Sequence, residues 1–353
     1  MINEETSRRI TSLRFLLICF VVFIHNNYTG ENEVQFVENQ FGVYIQLLIS
    51  KGIAQCAVPL FFLFSAYLQG KKDDEYKVLL KKKSLSLFIP FVLWTVIYVF
   101  YFVGLKLIVL SVAPQYIKNP DDTAVDWSAM DWIVKIFGNK LKENGVDEYP
   151  YFCGQFWFVR DLIILVILSP LLKFCIRKVP LGFLSLLTIL YISQIQIYIV
   201  AEQAIFFYCL GLYWAMYDYN LFEKIEKISW LEASVLFLFS FFISNIFYYG
   251  KGMFHWFMVV FACTILLKFS KVLCSKEKIF RSLKYLSGFS FFLFAIHEPV
   301  LNESLKKLWI RFFPMKNTFF SLFEYFGVSV LVIIIGTGMG IVLKKSVCQY
   351  SLC

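Results

Sequence analysis

Long runs of apolar residues, most of them long enough to cross a lipid bilayer, recur along the whole of this chain. A membrane-spanning helix needs about 20 consecutive apolar residues, and hydrophobic residues make up 59% of the 353 residues. The runs predict an all-α polytopic membrane protein of about ten transmembrane helices, forming a single membrane-embedded domain over residues 1–353. The predicted spans are 13–30, 43–69, 85–110, 155–176, 181–200, 203–217, 230–249, 254–270, 288–302 and 318–343.

The charged residues between these runs predict the orientation in the membrane. Lysines and arginines concentrate in the loops on one side, whereas the acidic residues after the first span and in loop 111–154 fall on the other. By the positive-inside rule both termini are cytoplasmic and loop 111–154 is extracytoplasmic. Segment 303–317 disagrees, because it carries four basic residues between Lys306 and Lys316 but is placed outside. Either the ninth span is wrong or this surface meets an anionic partner.

Charge and cysteine usage exclude several classes of protein. The net charge of +9 does not indicate nucleic-acid binding, because the basic residues lie in loops between apolar runs. The nine cysteines include no C-x-x-C pair and mostly lie inside apolar runs, so neither a disulfide framework nor a zinc site is predicted. The aspartates of loop 111–154 have no ligand-like spacing, and no metal or permanently bound cofactor is predicted. The four aspartates considered as ligands are Asp121, Asp122, Asp126 and Asp131.

The first span contains two polar side chains that a bilayer disfavours. Arg14 lies near its start and His25 lies deep inside it. On a helix, eleven residues separate them by about 16 Å along the axis and leave them on nearly the same face. Ionisable residues inside a membrane usually face the bundle interior or a wet cavity. The pair predicts either a snorkelling arginine with a packing histidine, or one polar track from the interface to a reactive base.

Two further groups of polar residues lie at the ends of spans. Lys82 and Lys83 precede the third span and predict either topology anchors or contacts to phosphate groups. Trp157 opens the fourth span and is followed by Arg160 and Asp161. This group predicts either an interfacial tryptophan beside a neutralising ion pair, or a platform for a sugar and its hydroxyl groups.

A second intramembrane histidine lies in the ninth span, where His297 precedes Glu298. Together with the first span it indicates a polar interior of the helix bundle. In the second span, Pro59 can break the helix inside the membrane, and Ser65-Ala66 lets another helix approach closely.

Taken in order, these features resemble the acyltransferase-3 family of integral-membrane O-acyltransferases, which act on bacterial glycans. The motifs that carry the resemblance are Arg14-x10-His25, the run VPLFFLFSAYL at 58–68, the basic run before Pro90, Trp157-x-x-Arg160 with Pro170 downstream, and Phe-Ala-Ile-His-Glu-Pro around His297.

The resemblance implies a bacterial inner-membrane enzyme that takes an acyl group from acyl-CoA, commonly acetyl-CoA, and passes it to a carbohydrate hydroxyl. It also implies that Arg14 and His25 are needed. The chain departs from the family in three places: Ala66 replaces a usual glycine, lysines replace arginines in the basic run, and Pro59-Leu60 stands where many members carry an aspartate. The last departure leaves open which carboxylate orients His25.

The chemistry assigns a role to each candidate residue. His25 is predicted to act as a general base, or to carry the acyl group itself, and Arg14 is predicted to bind the donor phosphates. The supporting residues are Lys82 and Lys83 for the donor, Trp157, Arg160 and Asp161 for the acceptor, and His297 with Glu298 as a second acid/base pair or a structural lock.

Two alternatives stay open from the residues. A transporter or flippase for a glycan or lipid-linked intermediate also uses polar intramembrane residues and interrupted helices, although no inverted repeat is visible. A structural or sensory membrane protein would leave the placement of His25 and His297 without a reason.

Overall fold

A computed structural model describes most of the chain. The described residues are 2–26, 40–72, 74–113, 115, 127–137, 141–143, 146–148, 154–195, 197, 199–246, 251–313 and 318–350. Within them the chain forms α-helices and one antiparallel hairpin of two short strands. The elements are α1 (Glu4–His25), α2 (Gln40–Leu47), α3 (Ala57–Lys72), α4 (Tyr76–Lys83), α5 (Ile89–Val112), α6 (Ala129–Phe137), β1 (Leu141–Glu143), β2 (Val146–Glu148), α7 (Trp157–Lys178), α8 (Pro180–Ile192), α9 (Glu202–Met216), α10 (Glu223–Glu226), α11 (Trp230–Phe241), α12 (Lys251–Ser275), α13 (Glu277–Ser287), α14 (Ser290–Ile296), α15 (Asn302–Phe312) and α16 (Thr318–Tyr350).

Several helical segments have the length and apolar composition of membrane spans. Among the described residues, four pass this test on their own, and a fifth does so if two helices bent by 52° are counted as one broken span. The prediction of an all-α polytopic membrane protein is confirmed, whereas the count of ten spans and the cytoplasmic termini stay predictions. The segments are Phe41–Lys72, Tyr76–Val112, Gly252–Ser275 and Phe319–Ser346, and the bent pair is Glu277–Ser287 with Ser290–Phe312.

The chain divides into two compact units. The first consists of Met1–Asp73, Leu172–Ile195 and Glu202–Cys353, and the second consists of Asp74–Leu171 and Gln196–Ala201. The single membrane-embedded domain stays a prediction.

Helix α1 is central to the first unit. It begins where the Asn3 side chain accepts a hydrogen bond from the amide of Thr6, which satisfies a backbone donor that the first turn leaves free. One apolar face of the helix is buried. Near its C-terminal end, Val22 is fully enclosed with Val328 and Val332 of α16. These contacts fix α1 against the last helix of the chain.

Helices α3 and α9 of the first unit pack with their backbones close together. Gly211 of α9 faces the backbone between Leu63 and Tyr67, and a side chain there would overlap the Leu63 carbonyl oxygen and press on Ala66. Small residues permit this approach. The prediction that Ser65-Ala66 admits another helix closely is confirmed at Ala66.

The break predicted at Pro59 falls earlier in the chain. A π-helical turn at Leu48–Gly52 and a 3-10 turn at Ile53–Cys56 interrupt the second span, and α3 then begins at Ala57. Pro59 therefore lies in the first turn of a helix, where a missing backbone N–H costs nothing.

The ninth span is also interrupted. Between α14 and α15 the chain forms a π-type turn at His297–Leu301, in which Glu298 has extended backbone angles, φ −124° and ψ 153°. Helical backbone angles are disfavoured for a residue that precedes proline. Glu298 precedes Pro299, which explains its extended conformation. Segment 303–317, predicted as a loop, is helical as far as Phe312.

Candidate active site

The C-terminal end of α1 meets the interrupted ninth span at two histidines. The ring centroids of His25 and His297 are 5.0 Å apart, with the ring planes at 70°. His297 is completely buried, and its Nδ1 lies 2.6 Å from the carbonyl oxygen of Phe294. Its Nε2 has no hydrogen-bond partner among the described residues.

The backbone at the end of α1 is held by side chains from α15. The Asn302 amide donates to the His25 carbonyl oxygen over 3.1 Å and also to the carboxylate of Glu298. The ammonium group of Lys306 donates to the same carbonyl oxygen over 3.2 Å. The last carbonyls of a helix lack intrahelical partners and carry partial negative charge, so an amide and a lysine stabilise this end.

A second set of contacts holds the same end of α1 from other elements. The Asn26 amide donates to the Tyr325 carbonyl oxygen (2.8 Å) and to the Ser329 hydroxyl (2.9 Å) of α16. Ser50 donates from its hydroxyl to the Phe23 carbonyl oxygen over 2.7 Å. It lies 2.7 Å from the Tyr325 hydroxyl, which therefore acts as the donor to it. The histidine at the end of α1 is thus fixed through the backbone on both sides.

Arg14 lies on the same uninterrupted helix as His25. Their separation of eleven residues therefore corresponds to about 16 Å along the helix axis. The Arg14 side chain is exposed, and it forms no hydrogen bond or ion pair with any residue that the structure describes. Its guanidinium group is available to an anionic ligand.

The buried arginine of α1 is Arg9, which sequence reasoning did not single out. It is 2% exposed. Its Nε donates to the Ser270 hydroxyl (2.9 Å), and its Nη2 donates to Glu226 (2.6 Å) and to the Leu267 carbonyl oxygen (2.8 Å). The guanidinium carbon lies 3.8 Å from the centre of the Phe222 ring. Arg9 thereby ties α1 to α10 and α12.

Glu226, outside the predicted spans, is the nearer of two carboxylates that pair with Arg9; the other is Glu5, at 3.5 Å. Burial raises the pKa of its carboxyl group, but the hydrogen bond and the charge of Arg9 act in the opposite direction. Lys271, whose ammonium lies 3.5 Å away, and Lys268 add to this effect. The net result is a lowered pKa, so Glu226 is ionised at neutral pH.

The two lysines predicted to contact the donor lie at the end of α4, in the second unit. Lys82 forms an ion pair with Asp74 at 2.8 Å. Lys83 lines a cavity of about 380 Å³, whose other walls are mainly apolar and include Phe88 and Val166.

Arg160 and Asp161 of α7 are both buried and form an ion pair at 3.3 Å. Arg160 also donates to the carbonyl oxygen of Ile199, and Asp161 accepts from the amide of Ala201 over 2.8 Å. The two side chains thus form the predicted ion pair, and their role towards a sugar stays a prediction. Trp157, half-buried, is the first residue of α7.

Within the described residues, no group of three His, Cys, Asp or Glu side chains could hold a metal ion. Asp131 accepts hydrogen bonds from the amide and the hydroxyl of Ser128, where α6 begins. Asp121, Asp122 and Asp126 lie outside the described residues.

The structure brings only part of the predicted site into one cluster. His25, His297 and Glu298 meet at the end of α1, and Arg14 shares that helix. The predicted residues that belong to the second unit are Lys82, Lys83, Trp157, Arg160 and Asp161. Asn302 was missed as a member of the cluster, although its position four residues after Glu298 was a signal. Arg9 was missed because two basic residues before a span, here Arg8 and Arg9, are also typical of a cytoplasmic topology signal.

A polytopic helical protein with polar groups held inside its bundle has the character of a membrane enzyme, and comparison with known proteins defines the class. A family model described as an acyltransferase domain matches residues 8–341. The chain therefore belongs to the acyltransferase-3 family and is a membrane acyltransferase, and the resemblance seen in the sequence is confirmed.

The chain is also similar to a curated protein. The succinoglycan biosynthesis protein ExoH of Rhizobium meliloti (strain 1021) is 23% identical over 315 residues, which cover 85% of this chain and 80% of that protein. No solved structure matches the chain.

Proposed function

We propose that this protein transfers an acyl group, most simply acetyl, from acyl-CoA to a hydroxyl group of a surface or secreted polysaccharide at the bacterial cytoplasmic membrane. The observation that carries the proposal is the position of His25. It ends α1, its ring centroid lies 5.0 Å from that of the buried His297, and its backbone carbonyl is bound by Asn302. The family supports acyl transfer, and the polysaccharide acceptor follows from the name of the relative ExoH.

His25 acts as the general base in this proposal. Its neutral imidazole takes the proton of the acceptor hydroxyl while the hydroxyl oxygen attacks the thioester carbonyl carbon. The new C–O bond forms, the C–S bond breaks, and the proton passes from His25 to the departing thiolate. Each group ends in its original protonation state, so His25 is ready for another cycle.

A two-step variant uses the same residue as an acyl carrier. One His25 nitrogen attacks the thioester carbonyl carbon, the C–S bond breaks, and the proton on the other nitrogen passes to the departing thiolate. The acceptor hydroxyl then attacks the N-acyl group, the N–C bond breaks, and the hydroxyl proton returns to the imidazole. A carrier gives an acylated enzyme in the absence of acceptor, whereas a base does not. The two routes are therefore distinguished by trapping after one turnover.

Arg14 binds the phosphates of the donor in this proposal. Lys82 and Lys83 are proposed separately as donor contacts. Arg14 suits the task because its guanidinium is exposed and forms no hydrogen bond or ion pair with described residues, and guanidinium groups bind phosphate bidentately. The mainly apolar cavity lined by Lys83 offers room for the non-polar part of a ligand.

Trp157, Arg160 and Asp161 orient the acceptor in this proposal. The buried ion pair of Arg160 and Asp161 fixes the backbone at Ile199 and Ala201, which supports a rigid wall behind a sugar. Trp157 supplies an aromatic face at the start of α7. His297 and Glu298 support His25 rather than contacting the donor.

The test is thiol release from acetyl-CoA by the detergent-purified protein, with and without candidate polysaccharides. His25→Ala is expected to lower the rate by roughly 1,000-fold, the usual scale for losing a general base. The matched control is His255→Ala, because the His255 ring makes an edge-to-face contact with Tyr191, with the ring centroids 6.3 Å apart.

Retained transfer in His25→Ala would exclude both routes through this residue. A folded wild-type protein that releases no thiol with any acceptor would exclude acyl-CoA as donor. Transport of a glycan would then be the function to measure.

A further inference from the structure

We propose that the end of α1 that carries His25 is bordered by a cationic surface that binds an acidic saccharide, that is, a glycan acceptor with carboxylate or phosphate groups. The cationic surface consists of Lys51, Lys307 and Arg311. The inference rests on the proposed function and goes beyond it by naming the chemical class of the acceptor.

Helix α15 is held with one face against the core, so the direction of its other face is defined. Leu305 and Trp309 pack against the enclosed valines of α1 and α16, and the Trp309 ring centroid lies 4.9 Å from that of Phe323. Lys307 and Arg311 share the opposite face, because two residues turn a helix by about 200° and residues four apart are neighbours. Both are exposed, and neither forms a hydrogen bond or ion pair within the part of the chain that the structure describes.

This basic face begins beside the reactive histidine. Asn302 and Lys306 of α15 bind the carbonyl oxygen of His25. At 1.5 Å per residue, Lys307 and Arg311 follow Asn302 by about 7 Å and about 14 Å along the helix axis. An elongated ligand that has one hydroxyl at His25 and lies along α15 therefore passes both cations.

A third cation comes from the interrupted second span. Lys51 lies in the π-helical turn at Leu48–Gly52 and is exposed. It is close enough to His25 for its positive charge to act on the ring, as the charge of Lys306 also does. Cations from two separate parts of the chain thus converge on the end of α1.

Acidic residues do not cancel this charge. Helix α15 carries three basic residues and one acidic residue, Glu303. Glu298 precedes the helix, and its carboxylate accepts a hydrogen bond from the Asn302 amide. With Lys51 included, four basic residues stand against two acidic ones, so the net charge is positive even if both carboxylates are ionised. Such a surface attracts a ligand of opposite sign.

The positive-inside rule does not account for the cationic surface. At the other end of α1, Arg8 donates to Glu277 of the basic helix α13 over 2.6 Å. Helix α1 has 22 residues and is therefore about 33 Å long, close to the thickness of a hydrocarbon core. Helices α13 and α15 thus lie towards opposite membrane surfaces. Only one surface is cytoplasmic, and the α13 end is the one predicted to be so. The charge at the His25 end needs another reason, and an anionic ligand supplies one.

The acceptor is the ligand of the reaction that fits this position. The donor phosphates are proposed to bind Arg14, about 16 Å away along α1, so the donor does not explain cations beside His25. The acceptor has to bring a hydroxyl group to His25. Charge complementarity would raise its local concentration and fix its direction along α15.

The experiment measures the binding of oligogalacturonate, a saccharide with a carboxylate on every sugar, to the protein in nanodiscs of uncharged phosphatidylcholine. Its methyl ester is the matched probe, because the sugar backbone is kept and the charge is removed. Wild type is expected to bind the acid at least roughly tenfold more tightly than the ester, with a preference that shrinks as salt is added. The double variant Lys307→Gln/Arg311→Gln is expected to lose roughly tenfold in affinity for the acid, with its affinity for the ester and its melting temperature unchanged.

Three further variants test whether charge at this position is the cause. Lys278→Gln/Lys284→Gln removes two exposed charges from α13 and should leave binding unchanged. Lys307→Arg/Arg311→Lys keeps both charges and should keep the affinity for the acid within about twofold of wild type. Lys51→Gln should lower that affinity roughly threefold, because one exposed charge is lost.

Equal binding of the acid and the ester by wild type would overturn the inference, and so would an unchanged affinity in Lys307→Gln/Arg311→Gln. Native mass spectrometry provides the lipid comparison. If that variant loses bound phosphatidylglycerol but keeps its affinity for oligogalacturonate, the surface belongs to lipid head groups and the inference is overturned.

The binding measurement uses no acyl-CoA, so it is independent of the thiol-release test. Acyl transfer by a protein that shows no preference for the acid would defeat the inference alone. Preference for the acid without acyl transfer would defeat the proposed function and leave a saccharide-binding surface.

Discussion

Two arginines five residues apart on α1 have opposite surroundings. Arg9 is 2% exposed and donates to a carboxylate, a hydroxyl and a backbone carbonyl. Arg14 is exposed and has no such partner among the described residues. Five residues turn a helix by about 140°, so the two side chains leave α1 on different faces. The difference separates a charge that holds helices together from a charge that is available to a ligand.

The largest expected effect is on stability, from Arg9→Met. Methionine keeps the length of the side chain but removes the nearest donor of the Glu226 carboxylate, which keeps only Lys271 at 3.5 Å, and one of two donors of the buried Leu267 carbonyl, which keeps the Ser270 hydroxyl at 2.6 Å. We expect a loss of about 3 kcal/mol, since a hydrogen bond to a charged group contributes about 1.5–3 kcal/mol. The measurement is the melting temperature in detergent, followed by intrinsic fluorescence.

Arg14→Met is the matched control for that measurement, and we expect it to stay within about 0.5 kcal/mol of wild type. Equal destabilisation by both variants would contradict the assignment of Arg9 as the structural arginine and Arg14 as the ligand-accessible one.

A smaller effect, on donor binding, is expected from Arg14→Gln. The apparent KM for acetyl-CoA should rise roughly tenfold, which corresponds to about 1.4 kcal/mol, because a charged phosphate contact is lost. The melting temperature should not change.

Acetyl-pantetheine sharpens this prediction, because it carries the thioester but none of the phosphates. Arg14→Gln and wild type should use it equally. A raised KM for acetyl-pantetheine as well would place Arg14 at the acyl group and not at the phosphates.

The smallest expected effect is a pH dependence of the Arg9 contribution. The pKa of Glu226 is lowered in the folded protein, so this stabilisation is fully present above the ordinary carboxyl pKa of about 4.3 and is lost as pH falls through the lowered value. The melting-temperature difference between wild type and Arg9→Met should therefore be constant from pH 7 to about 5 and shrink below about 4. A difference that stays constant through the acid range in which Glu226 takes up its proton would show that the ion pair contributes nothing.

The sequence predicted the parts of this molecule that depend on local pattern. Apolar runs dictate helices in a bilayer, because every backbone group there has to be bonded within its own segment. The interruption beside Pro299 agrees with a local rule, the restriction on the residue before proline, but the sequence analysis predicted a break only at Pro59. The importance given to His25 and His297 came from the cost of burying an imidazole, and the structure places the two rings in contact.

The rest depends on which helices become neighbours, and no local pattern encodes that. The hydrogen bond from Asn302 to the His25 carbonyl joins residues 277 positions apart. The burial of Arg9 could not be predicted for the same reason, because its partners Ser270 and Glu226 belong to α12 and α10. Charge counting places a basic residue near a membrane surface, but it does not distinguish a solvated arginine from a buried one.

Residues on both sides of the interruption at His297–Leu301 contact His25. One side chain before it, His297, touches the His25 ring, and one after it, Asn302, binds the His25 backbone. Sliding α1 along its own axis, as a piston would, breaks both contacts at once. His25 is therefore held at a fixed position relative to the ninth span. In the proposed reaction, the distance of roughly 16 Å between Arg14 and His25 would therefore be spanned by the donor, whose pantetheine arm extends from the phosphates towards His25.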